Sequence, residues 1–568
     1  MKKLTFGKPE EFVPSKYCKG FNAEESGITY DVSKITGKKT KRGYLLEFPL
    51  SAKEQIYGFG LQMKGFNHKG RKLTLRVNAD PVANTGDSHA PVPFFVSTDC
   101  YGMYFDTARN IQVHCGYKKK YPGKKAPMRC ELIDNENDLY AKAVAEEPSV
   151  MTVEIPAASG IDVYIFDGES ILDVVSQYNM LSGGGCSVPD WGLGILYRAY
   201  LKSDGEKIKK TADYFRENNI PCDIIGLEPG WLSAAYSCSF EWNRELFPNP
   251  KEVIDYLHKN NFHVNLWEHA YVHPASPMYG ELYPYSGDYE VWNGIVPDFA
   301  TPEARKIFAD YHRQFVELGA DGFKLDECDN SDFTNSWCFP DCAEFPSGMD
   351  GEQYHSMFGV LYMQTILEAL GGTPTLSEVR SAGALCASYP FVLYSDLYEH
   401  KDFIRGVVNS GFSGILWTPE VRKVQSKKEF VRRLQTTVFS VQCLINAWHC
   451  EEYPWKDYDC EDEIRELLNI RKTLVPMLSR AFREYRETGK PPIRALVADY
   501  TDDSETYEID DEYIFCDNLI VAPLSYDTDE REIYLPKGKW RDYWTKEPVE
   551  CGRFTVVTEG IPVYEKAD

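Results

Sequence analysis

At 568 residues the chain exceeds one ordinary core and predicts two to four domains. A formal net charge of -24 argues against nucleic acid or an anionic membrane as partner. No apolar stretch approaches the ~20 residues of a membrane span. Met1–Pro9 carries basic residues without the apolar core of a signal peptide, and the 16 cysteines are scattered, so reduced thiols and a cytoplasmic setting are expected.

Residues 1–185 read as all-β. Short alternating segments such as Lys72–Val77 and Ser149–Ile155 are separated by Gly, Asn, Asp and Pro, the pattern of a β-sandwich. Ser182-Gly183-Gly184-Gly185 reads as a hinge. From 186 to 486 unbroken apolar runs appear at 192–197, 222–228, 262–269, 320–326, 373–379, 391–396, 413–418 and 442–449. Amphipathic stretches such as Gly205–Asn219 and Pro302–Leu318 lie between them. Strands buried on both faces read this way, and eight of them separated by helices predict an α/β fold, a (β/α)8 TIM barrel. The long interval between the third and fourth runs predicts a loop inserted over the strand tips. Glu461–Arg486 is helical in pattern, and at 487–568 short strands and turns return as a small C-terminal β-domain.

Several runs end on polar side chains: Glu228, Glu268 and His269, Asp326, Arg380 and Asp396, with Glu420 and His449 just after the last two. Polar groups there are costly unless they face the open mouth of a barrel, where they either tie the rim together or line one site. Asp326 and Asp396 supply the pair of acids that cleaving a glycosidic bond requires. The many aromatics, 37 Tyr and 11 Trp, suit stacking on sugar faces, and equally suit any large β-rich protein. Cys338 and Cys342 form a C-x3-C near Cys328, but no second close Cys/His pair completes a zinc site. Residues 326–332 lack the glycine of a calcium loop, so no metal and no cofactor are expected.

The chain resembles glycoside hydrolase family 31 over nearly its whole length. Tyr57-Gly58-Phe59-Gly60, Pro93–Ser97 and Tyr101–Tyr104 resemble the family's N-terminal sandwich, and Val291-Trp292-Asn293-Gly294 its loop before the fourth strand. Gly322–Asp326 resembles its nucleophile motif. Arg380 precedes Asp396 at the family's spacing between a substrate-binding arginine and the acid/base. Leu519–Pro523 and Tyr534–Trp540 resemble the region after the barrel.

This resemblance implies a retaining exo-α-glycosidase with Asp326 as nucleophile and Asp396 as general acid/base. Asp396 would hold its proton near neutral pH while Asp326 stays ionised. Arg380 and His449 would bind sugar hydroxyls and Trp292 would form an aromatic wall. Trp267, His269, Glu327, Tyr394, Trp417 and Asp80 complete the candidate sugar contacts.

Departures from the family pattern fall on groups that would touch the sugar. Glu228 stands where α-glucosidases usually carry an aspartate, Glu327 follows the nucleophile, and Thr418-Pro419-Glu420 replaces an aspartate. These changes lead us to expect a galacto-configured substrate, an α-galactoside or α-N-acetylgalactosaminide, and they resemble the family branch with those activities. α-Glucosidase or α-xylosidase activity is the alternative. α-Glucan lyase, transglycosidase and a non-catalytic carbohydrate-binding protein are remoter ones. The partner implied is an oligosaccharide or glycoside, with oligomeric state open.

Overall fold

The computed structural model describes residues 1–79, 81–119, 149–330, 337–396 and 399–567. Its N-terminal part is a sandwich of a five-stranded and a six-stranded sheet. Ser149–Pro156 alternates buried and half-buried residues, the signature of a strand with one face on a core. Leu46, Phe48, Val113 and Val153 are among the residues filling the space between the sheets.

Eight parallel strands follow: β1 (Ile195–Arg198), β2 (Ile224–Leu227), β3 (His263–His269), β4 (Gly322–Asp326), β5 (Ser377–Val379), β6 (Phe391–Leu393), β7 (Glu420–Val421) and β8 (Cys443–Asn446). The ladder runs from β6 through β1 to β8 and β7. A parallel bridge between Leu393 and Trp417 then closes it into a barrel. Asp204 caps the helix after β1 and Thr301 the helix Pro302–Leu318 before β4, each side chain accepting a first-turn backbone N–H.

Period-two alternation sets what the barrel holds inside. At the bottom Leu196, Ile224 and Leu444 pack with Tyr394. Two residues further along the strands, Arg198, Lys324 and Glu378 form a buried charged layer with Asn265 and Glu228. The side chain a residue would carry at Gly226 would begin 2.8 Å from the Arg198 guanidinium carbon, so glycine makes room for that cation. Two residues further again come Asp326 and Arg380, at the open mouth.

After the helix Glu461–Thr488, a six-stranded sheet and the pair Glu530–Leu535 with Gly552–Val557 make up the C-terminal part. The expected hinge at 182–185 is a packed joint. Gly185 N donates to Tyr485 O at 3.0 Å, and a Cβ at Gly184 would lie 2.3 Å from Arg486 O. Gly183 and Gly184 both have positive φ, so the glycines serve a tight turn pressed against the long helix.

Candidate active site

A cavity of about 630 Å³ opens over the C-terminal ends of the strands, with Asp326 and Asp396 in its wall. Asp326 ends β4. Its Oδ2 accepts from Trp267 Nε1 at 2.7 Å and its Oδ1 from the Glu327 N–H at 2.9 Å, which fixes the carboxylate's orientation. Arg380, two residues beyond β5's Glu378, reaches both acids. Its Nε lies 3.7 Å from Asp326 Oδ1, and its Nη1 donates to Asp396 Oδ2 at 3.0 Å. One guanidinium therefore spans the two carboxylates.

Asp396 has a second cation, Arg422, whose Nη2 donates to Oδ1 at 2.8 Å. Arg422 is itself held by Glu420, which also accepts from Asn446 Nδ2 at 2.8 Å. Arg380 first, then Arg422, hold the Asp396 carboxyl well below the usual carboxylate range, against the opposing effect of burial. The expectation that Asp396 keeps its proton near neutral pH is thus not met, because two guanidinium groups stabilise its anion. The neutral carboxyl is Glu327. Burial, then the Asp326 charge beside it, lift its pKa to about 8. Its oxygens accept from the Tyr236 hydroxyl at 3.1 Å and Asn330 Nδ2 at 2.8 Å, and its backbone sits at φ 57°, an uncommon conformation for a non-glycine residue.

Arg380 is anchored from behind. Asp329, fully buried, accepts from Arg380 Nε at 3.1 Å and lies 2.6 Å from His89 Nδ1. His89 Nε2 is 3.0 Å from Ser395 Oγ, next in chain to Asp396. This chain of contacts joins the N-terminal sandwich to the floor of the cavity. No local signal exposes it in the sequence, since His89 lies 240 and 306 residues from its two partners.

Of the other sequence candidates, Glu228, Trp267, Glu327, Arg380 and Tyr394 line the cavity. Glu228 is engaged by Arg198 and by Lys324 Nζ at 3.4 Å. Tyr394 lies beneath Lys324, 4.7 Å from its ring centroid, and burial and then the Asp326 charge hold its phenol protonated. Four candidates stand outside the wall. Trp417 is 1% exposed and packs against Gly406 on the helix His400–Ser410. His269 is buried among Trp267, Tyr271 and Trp292, and burial pushes it down to about 4. Trp292 sits behind Tyr236, with ring centroids 4.9 Å apart. His449 is exposed, while its neighbour Trp448 lines the cavity. Asp80 lies outside the described residues, and its neighbour Ala79 is in the wall. Sequence reading missed Tyr236, Asn330, Trp337, Arg422, Asn446 and Trp448. Of these, Asn446 lies within the eighth apolar run, at the end of β8, and Arg422 follows Glu420 by two residues. Among the described residues, no group of three or more His, Cys, Asp or Glu is arranged to hold a metal ion.

The family profile described as the glycosyl hydrolases family 31 TIM-barrel domain matches residues 186–481. The chain belongs to glycoside hydrolase family 31. Its C-terminal-domain profile matches 489–568 and its N-terminal galactose mutarotase-like profile 19–113, in the family's order. Among relatives, family 31 similarity extends to an α-xylosidase of Emericella nidulans, 22% identical over 92% of this chain and 67% of that protein. An α-glucosidase 2 of Bacillus thermoamyloliquefaciens is 25% identical over 90% of this chain and 66% of its own length. The chain thus spans about two thirds of the length of these curated relatives. Among solved structures, the family 31 dextranase of Flavobacterium johnsoniae, in a mutant form complexed with isomaltotriose, superposes with a TM-score of 0.79 at 20% identity. That alignment covers 94% of this chain and 68% of the dextranase.

Proposed function

We propose that this protein is a retaining exo-α-glycosidase in which Asp326 attacks the anomeric carbon of a terminal sugar and Asp396 protonates the leaving oxygen. The observation that carries the reading is the sharing of the Arg380 guanidinium by two carboxylates in one cavity at the barrel mouth. In the first step the Asp326 carboxylate forms a bond to C1 as the C1–O bond to the leaving group breaks, and the departing oxygen takes the Asp396 proton. In the second, Asp396 removes a proton from water, which attacks C1 and releases Asp326. A neutral sugar in the cavity displaces water from Asp396, and that desolvation favours its protonated form.

The relatives named above favour a gluco- or xylo-configured sugar. One observation supports the galacto reading instead: Glu228, where an α-glucosidase aspartate would read O4 and O6, is engaged by Arg198 and Lys324. Initial rates on nitrophenyl α-glucoside, α-xyloside, α-galactoside and α-N-acetylgalactosaminide decide between them, and proton NMR of the first-formed anomer tests the mechanism. A product of inverted configuration, or an Asp326→Ala variant with undiminished turnover, overturns the proposal.

A further inference from the structure

Beside the cavity lies a second cluster that the glycosidase chemistry does not use. Cys338 Sγ is 3.0 Å from His355 Nε2, and His355 Nδ1 is 2.8 Å from Asp341 Oδ1. The imidazole is stacked on Phe339 with ring centroids 4.2 Å apart, so its plane is fixed between sulfur and carboxylate. Cys338 is half-buried and follows Trp337, whose half-exposed indole lines the cavity. The Tyr271 hydroxyl donates to Glu327 O at 3.0 Å and lies 3.9 Å from Sγ. A thiol beside an imidazole oriented by a carboxylate is the arrangement that makes a sulfur nucleophile.

We propose that Cys338, His355 and Asp341 form a thiolate site that reacts with hydroperoxides to give a sulfenic acid. The thiolate sulfur attacks one peroxide oxygen. An S–O bond forms, the O–O bond breaks, sulfur is oxidised by two electrons, and the departing oxygen takes the His355 proton and leaves as water or an alcohol. Asp341 stabilises the imidazolium that supplies this proton. Burial opposes that charge, but Cys338 and Asp341 raise the His355 pKa to about 10. Among the described residues, Cys338, Glu327 and Cys328 act on Tyr271, and Arg76 acts on Asp341.

The proposal is independent of the sugar specificity and is read without an activity assay. The reduced full-length protein is treated with hydrogen peroxide and dimedone, or with iodoacetamide, at a series of pH values, and each cysteine is quantified by peptide mass spectrometry. At pH 6, Cys338 is expected to label at least about tenfold faster than the exposed Cys342 and Cys551. Asp341→Asn and His355→Gln are each expected to lower the Cys338 rate about tenfold and to leave the other two unchanged. If the buried His355 variant does not fold, the comparison within the wild-type protein decides. Labelling of Cys338 no faster than Cys342 and Cys551 at pH 6, or a rate unaffected by Asp341→Asn, overturns the assignment.

Discussion

Replacing Arg422 by glutamine is expected to move the alkaline limb of the kcat/KM profile upward. This profile reports the ionisations of the free enzyme. The limb follows loss of the proton that the acid must donate, and Arg380 and Arg422 hold Asp396 as its anion, which places the limb in the acid range. Arg422 Nη2 is 2.8 Å from Asp396 Oδ1. At a charge separation of ~4 Å, the pair is worth about 1 kcal/mol in water and about 4 kcal/mol at an effective dielectric of 20. The Asp396 side chain is 61% exposed, which puts it near the water end of that range. Losing about 1 kcal/mol of preference for the anion raises the pKa by about 0.7. The limb therefore shifts up by between about half a unit and one unit in rate profiles of both proteins on an aryl glycoside. A limb that stays in place or moves down refutes Asp396 as the donor and directs attention to Glu327, the neutral carboxyl of the site.

Three further outcomes follow from the same electrostatics. Glu327 has a folded pKa raised to about 8, so its protonated form is fully stabilising below the unfolded value and this contribution is lost as pH rises through 8. Glu327→Gln should thus raise Tm at pH 8 and leave it nearly unchanged at pH 4. Asp321 is the reverse case: hydrogen bonds from His258, His263 and the Val264 N–H overcome burial and hold it at about 2. Its contribution, about 2 kcal/mol, is present above the unfolded value and disappears as pH falls through 2, so Asp321→Asn should lower the urea midpoint at pH 7. Asp329→Asn leaves the buried Arg380 with one less anion, which should cost about 3–5 kcal/mol in urea unfolding and reduce kcat/KM at least about tenfold as Arg380 loses its anchor.

The barrel was legible because each strand is buried on both faces. Pro302–Leu318 is helical over the residues its pattern predicts, since a capping threonine and a terminal glycine bound it. The seventh run pairs with β6 through Trp417, and beyond Pro419, which cannot donate to a ladder, the chain pairs with β8 from Glu420. Both acids and Arg380 were legible from their positions at strand ends. Their protonation was not, because it depends on Arg422, which lies 26 residues from Asp396 and meets it only in the closed barrel. Trp417 and His449 stand outside the cavity wall for a related reason. An aromatic or polar residue near a strand end faces inward or outward according to a one-residue register that composition does not reveal.

The contact between His89 and Asp329 ties the sandwich to the arginine that spans Asp326 and Asp396. A barrel excised at residue 186 would keep Asp326, Asp396 and the arginine between them, yet Asp329 would lose its imidazole and water would enter beneath the arginine it restrains. Recombination that exchanged N-terminal modules among homologues would meet the same obstacle. The two modules are therefore expected to be inherited as a unit.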